Sequence, residues 1–550
     1  MKFDSFIENL YFGKLKVPSE YRESSVDDPE VKNIVVKYVE ASKSFSPAGL
    51  ENMRKVPAEL LKKLCEMGFF GLTIPSEYGG LGLSLRQYLA LVREIAKLDM
   101  AVGIVSLAHL SIGMKAIQLF GTSEQKNKYL PAAASGDMIF CYALTEPLIG
   151  SDAKNINTVA ELSEDGKYYI MNGTKTYITN ANYSGGLTVF AQMDKNKKGK
   201  LGAFIVETSW AGISIGPDME KMGLNASSTA SIYFKDVRIP AENLIGKPGD
   251  GFRIAMTVLN YGRLALGASS SGALEASYND MLKRAMSRVQ FEKPIIEFEL
   301  IQEKIVNSFM ENEAVWAMTN FTACILEADP TAFAAIESSH CKLYGTNRAW
   351  ESLYDAMQTA GGSGYLKTQP YEKRLRDSRV STIFEGTTEI HYIYPPISLL
   401  RNIARQHPGF FGLARLRYAF TRWKTADPDP LVRKALRRVK SYALAFRKLF
   451  MSGMMKYGKK MIDMEYLLRR LTNISVILYA IVSMSYKIKA FREKGFDCEK
   501  VVKALNYFLA KAGKTVRENM RLLPDKVELQ SIELIDWARE LHNKNKRLPL

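Results

Sequence analysis

The chain has 550 residues, 47% of them hydrophobic and 24% charged. That balance suits about three to five globular domains and excludes a disordered chain, a collagen and a disulfide scaffold. The formal net charge of +17 is segregated, because residues 401–550 hold about 33 Lys and Arg against about 13 Asp and Glu, and the preceding part is close to neutral.

Residues 1–138 read as a helical domain. Segments 58–69 and 85–98 carry apolar residues at three- and four-residue spacing. The turn-rich run Ile74-Pro75-Ser76-Glu77-Tyr78-Gly79-Gly80-Leu81-Gly82 separates them. A further helix is expected over 123–135. From 139 to 246 the period changes to that of a small β domain. Residues 168–171 and 174–179 flank Asn172-Gly173, a pair that suits a type I′ hairpin turn. Further strands are expected at 186–193, 201–207 and 231–234. Helices return at 252–289, 299–327 and 331–359, within a helical domain spanning 247–405. Pro408, Pro428 and Pro430 mark a boundary segment, and residues 406–550 form a basic C-terminal helical domain. The fold class is α+β, in the order helical, β, helical, helical.

The five cysteines show no CxxC spacing and the five histidines no HExxH spacing, so no metal site is expected and a reducing compartment is favoured. No run of about 18 apolar residues occurs, and the longest, Ile474 to Tyr486, is interrupted by Ser475, Ser483 and Ser485. The N-terminus is neither a secretory signal nor an Arg-rich transit peptide. The glycine clusters at 79–82, 246–251 and 361–364 match neither GxGxxG nor a P-loop, which disfavours a nucleotide site of either kind.

Four segments carry chemistry, each with a plainer reading. Thr145-Glu146-Pro147-Leu148-Ile149-Gly150-Ser151-Asp152 alone is a polar loop. Tyr177 and Thr179 lie two apart on a strand and share a face; alone they are a surface pair. Gly361-Gly362-Ser363-Gly364 alone is a helix stop. Glu385, between Phe384 and Gly386, reads either as an acid beside a helix start or as a carboxylate that burial makes a usable base near neutral pH.

Taken together, these segments resemble the acyl-CoA dehydrogenase family. Tyr142-Ala143-Leu144-Thr145-Glu146-Pro147 with Gly150-Ser151-Asp152 looks like its first flavin loop, and Tyr177-Ile178-Thr179 like its second. Arg288-Val289-Gln290-Phe291, then Gln358-Thr359-Ala360-Gly361-Gly362-Ser363-Gly364, Arg376-Asp377 and Phe384-Glu385-Gly386-Thr387, follow in family order. Ala108 to Gly113, Leu259 to Arg263 and the C-terminal extension are similar to the very-long-chain branch. Leu148, Ile149, Tyr177 and Glu292 depart from residues common in the family, and none of these changes removes a reactive group.

The resemblance implies FAD-dependent α,β-dehydrogenation of long-chain acyl-CoA thioesters, with electrons passed to an electron-transfer flavoprotein. It implies Glu385 as the catalytic base, with its own N–H polarising the thioester. FAD would be held by Tyr142, Leu144, Thr145, Gly150, Ser151, Tyr177, Thr179, Arg288, Phe291, Gln358, Gly361, Gly362, Thr387 and Glu389. The substrate would meet Ser151, Asn260, Tyr261, Gly262, Arg263 and Gly386. Because Gly262 stands where some branches place their base, Glu385 is left as the single candidate. Gly103 stands where chain-limiting members carry a larger residue, whereas Leu107 fills a position that is glycine in the very-long-chain branch. A homodimer or tetramer is implied, with each flavin shared between two chains. The expected location is cytoplasmic or at the inner membrane in a bacterium, or mitochondrial once a transit peptide has been removed.

The alternatives are an acyl-CoA oxidase, or a nucleic-acid-binding or assembly protein of the same fold that uses the basic domain. The intact Glu385-Gly386-Thr387 motif favours the dehydrogenase. In the basic domain, Arg437, Arg438, Lys440, Arg447, Lys448, Lys456, Lys459 and Lys460 interleave with Leu444, Phe446, Leu449, Phe450, Met454, Met455 and Met461. This is the pattern of a helix docked on an anionic membrane surface without spanning it, which is the expectation here; the plainer reading is a solvated charged helix packing its Met/Leu face on the dehydrogenase body. Nucleic acid is the weaker expectation, because the strip lacks a recognisable binding motif.

Overall fold

The computed structural model describes residues 5–12, 18, 20–196, 199–332, 334–406 and 427–545. The chain divides into two compact units, one built from Pro18–Thr388 and one from Glu389 onward together with the N-terminal helix Phe6–Tyr11. That helix therefore departs from the helical domain expected over 1–138. Pro408, in the expected boundary segment, lies outside the described residues.

In the first unit, local caps set the helix ends. Ser84 and Gln87 form a reciprocal capping box at the start of Leu85–Leu98, and Thr122 and Gln125 do the same for Ser123–Ser135. Gly136, at φ 85°, ends the latter in the left-handed conformation that glycine adopts without strain. The helix Met100–Ala108 continues into a π-helical turn, His109–Gly113. The buried His109 ring joins this turn to the sheet: Nδ1 accepts from the Phe140 N–H at 2.9 Å, and Nε2 lies 3.1 Å from the Ala133 carbonyl oxygen. Burial holds its pKa down at about 4, so the ring is neutral.

The strands β1 (Ile139–Ala143), β2 (Val159–Leu162), β3 (Tyr168–Thr179), β4 (Ser184–Gln192), β5 (Leu201–Glu207), β6 (Ile213–Ile215), β7 (Thr229–Pro240) and β8 (Leu244–Ile245) form one sheet. Its order is β6-β7-β3-β2-β4-β5-β8, with β1 parallel to β4. Its core is built from Met171, Leu187, Val189, Phe204, Val206, Ile232, Val237 and Ile239.

The expected hairpin at Asn172-Gly173 is not formed. β3 runs through it, antiparallel to β7 from Tyr168↔Pro240 to Thr179↔Thr229, with register shifts at Met171/Gly173 and Lys175/Ile178. Gly173, at φ 151°, presses against Thr158, where a Cβ would lie 2.5 Å from Oγ1. Asn172 pairs with Asp236 across the strands, donating from Nδ2 at 3.0 Å and accepting the Asp236 N–H at 2.9 Å. The pair serves a bulge rather than a turn.

Three long helices, Gly251–Ser287, Glu299–Ala328 and Ala335–Ala360, pack against one another behind the sheet. A 3₁₀ turn, Gly361–Tyr365, and the helix Tyr371–Arg379 lead to the segment that carries Glu385.

The second unit is helical: Pro430–Tyr457, Glu465–Glu493, Glu499–Glu518 and Lys526–Asn545, joined by Phe6–Tyr11 and the run from Glu389. The apolar stripe of the basic helix is spent inside this unit. Phe446, Leu449, Phe450, Met454 and Met461 are buried, and of the expected stripe only Leu444 and Met455 are exposed. Phe450 meets Tyr11 edge-on at 5.2 Å, and Arg447, buried as well, lies over the Tyr11 ring. The runs Met100–Phe120 and Glu465–Glu493 are long and apolar enough to cross a membrane, although scattered Ser and Lys hid this from the run-length argument. They are 89% and 83% buried inside the fold, as core helices are.

The packing role of the stripe predicts that Phe450→Ala lowers stability by about 3–5 kcal/mol. Met455→Ala, at an exposed position, is expected to stay within about 0.5 kcal/mol. Urea denaturation followed by circular dichroism measures both.

Candidate active site

Glu385 sits on the segment between the Val380–Thr382 turn and the helix starting at Thr388. Its backbone is left-handed at φ 57°, and that of Gly386 follows at φ 99°. For a residue with a Cβ this conformation costs of order 1 kcal/mol or more and needs external support. Two buried side chains supply it: Arg263 donates from Nε to the Glu385 carbonyl at 3.2 Å, and Lys342 from Nζ to the Gly386 carbonyl at 2.5 Å. The carboxylate is lodged against Gly262, where a Cβ would lie 2.9 Å from Oε1 and 2.9 Å from Ile112 Cγ2. Its Oε2 is buried. Burial pushes the Glu385 carboxyl up to about 7, with the charges of Arg263 and Lys342 opposing. Tyr142, at the end of β1, donates to the Ala255 carbonyl at 3.2 Å. Its phenol is pushed up by burial and then by the charge of Glu385.

The first and second loops are fastened together. The Thr176 N–H donates to the Thr145 carbonyl at 2.9 Å. Below it, Lys175 donates to Glu146 at 2.8 Å and to the Leu144 carbonyl at 3.0 Å, with both charged side chains buried. Glu146 also accepts the N–H groups of Asn157 and Thr158, at 2.6 and 2.8 Å. Burial raises the Glu146 carboxyl, but Lys175 and these donors more than offset it, leaving it below the usual range. Just beyond, the bulge turns Tyr177 outward at φ 57° and 66% exposure, while Ile178 stays buried. Thr179 is part-exposed, and Gly150 and Ser151 lie at the surface.

A second group of expected residues is displayed on the surface. Arg288 ends the long helix and Phe291 caps a two-strand hairpin at φ 51° and 88% exposure. Gln358, Gly361 and Gly362 are exposed, and a Cβ at either glycine would meet nothing within 4 Å. Thr387 is part-exposed, whereas Glu389 falls in the second unit, in the first turn of Thr388–Gln406. Asn260 and Tyr261, expected along the substrate, are buried, and each has a partner in the bundle: Asn260 accepts from Ser338 at 3.1 Å and Tyr261 donates to the Pro330 carbonyl at 2.8 Å.

Lys175 and Lys342 were missed in the sequence. For Lys175 a signal existed, a charge on a strand at a position that alternation makes inward. Lys342, in the middle of a long helix, had none.

Profiles of the acyl-CoA dehydrogenase N-terminal, middle and C-terminal domains match residues 30–137, 141–237 and 249–393. The chain is 34% identical to the mitochondrial very long-chain specific acyl-CoA dehydrogenase of Bos taurus, over 87% of this chain and 77% of that one. An acyl-CoA dehydrogenase from Bacillus anthracis, solved in complex with FAD, superposes with a TM-score of 0.82 at 28% identity, covering 95% of this chain and 94% of that one. A chain from a structure described as the electron transferring flavoprotein of Acidaminococcus fermentans superposes with a TM-score of 0.63 at 34% identity, over 68% of this chain and 98% of that one. The chain belongs to the acyl-CoA dehydrogenase family. It is an FAD-dependent oxidoreductase acting on the CH–CH bond of acyl-CoA thioesters.

The residues present fit that cofactor. The bulge leaves Tyr177 outside the β3–β7 register and turned outward, which offers backbone polar groups to a flat polar-edged ring, and the open space over Gly150, Gly361 and Gly362 leaves room for close backbone approach to a phosphate-bearing chain. Breaking the pair beneath the loops is expected to loosen the flavin side. Glu146→Gln, which strands the Lys175 charge, is expected to cost about 3–5 kcal/mol of stability and to lower the FAD retained on gel filtration. Differential scanning calorimetry and the flavin absorbance ratio measure the two effects.

Proposed function

We propose that this enzyme dehydrogenates long-chain acyl-CoA thioesters to trans-2-enoyl-CoA, with Glu385 as the base that removes the α proton and an electron-transfer flavoprotein as electron acceptor. The observation that carries the reading is the Glu385 carboxylate lodged against Gly262, with burial raising its pKa to about 7. A base of that strength is ionised in useful amount near neutral pH and still accepts a proton readily. The space that Gly262 leaves is taken by the carboxylate itself, so no second carboxylate competes at that position. Arg263 and Lys342 steady the peptide that carries it, and the Glu385 backbone N–H serves the thioester oxygen as charge develops there. The chemistry that bound FAD would supply is that of a hydride acceptor for the β hydrogen. The names of the very-long-chain relatives support a long acyl chain, and the flavoprotein likeness supports the electron acceptor.

We also propose that two copies share each flavin through the exposed Arg288–Phe291 and 358–362 surfaces. An arginine offers phosphate two parallel charge-assisted bonds, and Phe291 stands 88% exposed on the lone chain.

Anaerobic bleaching of the flavin by acyl-CoAs of graded length tests the reaction and its chain-length range. Glu385→Gln is expected to keep its flavin and lose turnover by several orders of magnitude; near-normal turnover would refute the assignment. In the wild type, kcat/KM is expected to rise with pH through about 7, since the base must lose its proton to work, and the rise should be absent from whatever activity the variant retains. Arg288→Ala is expected to lower FAD content and shift the sedimentation equilibrium toward monomer together. A monomer holding its full FAD would contradict the shared site.

A further inference from the structure

We propose that Lys342 is a positioning residue for the reaction, its buried amine gripping the Gly386 carbonyl so that Glu385 is held in its left-handed conformation against Gly262. The inference rests on Glu385 being the base.

The geometry is specific. Glu385 and Gly386 are consecutive residues of positive φ, at 57° and 99°, so the segment has no helix or strand ladder to hold it. Its two carbonyls are taken by two buried cationic side chains from two different helices, Arg263 of Gly251–Ser287 and Lys342 of Ala335–Ala360. Lys342 has no exposed surface and its bond, at 2.5 Å, is the shorter of the two. A buried amine is costly to desolvate and is retained where its bonds return that cost. Here the bond goes to the residue directly after the base. Releasing it would free the peptide at a glycine, the residue least able to hold a conformation unaided.

The second consequence is electrostatic. The groups that act on the Glu385 carboxylate are Arg263 and Lys342, which lower its pKa against burial, and Tyr142, which packs beside it from β1. Removing the Lys342 charge leaves burial less opposed. The base then becomes harder to deprotonate, and the acid limb of the activity profile moves to higher pH.

The test uses the full-length holoenzyme with three substitutions, each checked for FAD content and thermal midpoint. Lys342→Met keeps the stem and removes both donor and charge. Lys342→Gln keeps a donor without the charge. Lys342→Arg keeps both. In Lys342→Met, kcat is expected to fall about 10- to 100-fold with KM for acyl-CoA changed far less, and the acid limb to rise by about one unit. Lys342→Gln is expected to show the same limb shift with a smaller loss of kcat, and it carries the test if the Met variant does not fold. Lys342→Arg is expected to restore the limb. An FAD-loaded Met or Gln variant with an unshifted limb and wild-type kcat would overturn the proposal. So would a loss of thermal midpoint and FAD alone, with the activity per bound flavin and its pH profile intact. Failure of the underlying reading shows separately, as turnover that survives Glu385→Gln.

Discussion

The buried Lys175–Glu146 pair is the interaction on which the site side of the sheet depends. Each charge is removed from water, so each must be fully satisfied by protein. Lys175 reaches Glu146 and the Leu144 carbonyl, and Glu146 also takes the N–H groups at the entry to β2. Three chain segments, the first loop, the entry to β2 and β3, are thereby joined through one buried pair. The bulge at Lys175/Ile178 then follows from the pair. Lys175 must point inward to reach its partner, and the extra residue lets Tyr177 turn outward while Ile178 returns to the core.

A second buried cluster does comparable work on the approach to Glu385. Lys373 donates to Asp377 at 2.6 Å and to Asp99 at 3.1 Å. Asp99 also caps the helix Met100–Ala108 through the Ala101 N–H, and Asp377 accepts the N–H of Leu224, in the connection between β6 and β7. The helix Tyr371–Arg379 is thus tied to the first helical segment and to the sheet at once. The chain leaving that helix reaches Glu385 within a few residues, where Arg263 and Lys342 take over the restraint. The base is held from both sides by buried charge, while its own carboxylate is left in a setting dry enough to raise its pKa.

What the sequence made legible is what local chemistry decides. The helices 85–98 and 123–135 stand in the sequence to the residue, and short-range chemistry fixes them: a capping box at each N-terminal end, and Gly136 after the second. Strand β5 is equally plain, as a short continuous apolar run rich in branched residues. The Glu385 and first-loop motifs stood out because several short patterns occurred in one order. The failures are all long-range. Asn172-Gly173 has the chemistry of a turn, and only the close approach of Thr158 and the pairing with Asp236 make it a bulge. Phe6–Tyr11 joins the second unit because Tyr479 and Phe450 are there to receive its rings, which no local pattern announces.

The basic helix shows the same ambiguity in its most consequential form, because an amphipathic pattern does not specify what covers the apolar face. Here Phe446, Leu449, Phe450, Met454 and Met461 are already covered, with Phe6–Tyr11 and Glu465–Glu493 as neighbours. Turning that stripe toward a bilayer would keep its own burial but expose the faces it now protects, at about 1.5–3 kcal/mol for each large side chain uncovered. Each cation drawn to an anionic surface returns only about 1 kcal/mol, and Arg447 is buried and does not contribute. The exchange is unfavourable, so any attraction of this unit to an anionic surface acts on the folded helix through its exposed cations, such as Arg437, Arg438, Lys448 and Lys456. Such attraction extends little beyond the Debye length of about 8 Å at physiological salt. It would bring the enzyme to a surface without unpacking it, and it would fade as salt is raised, with no change in the fold.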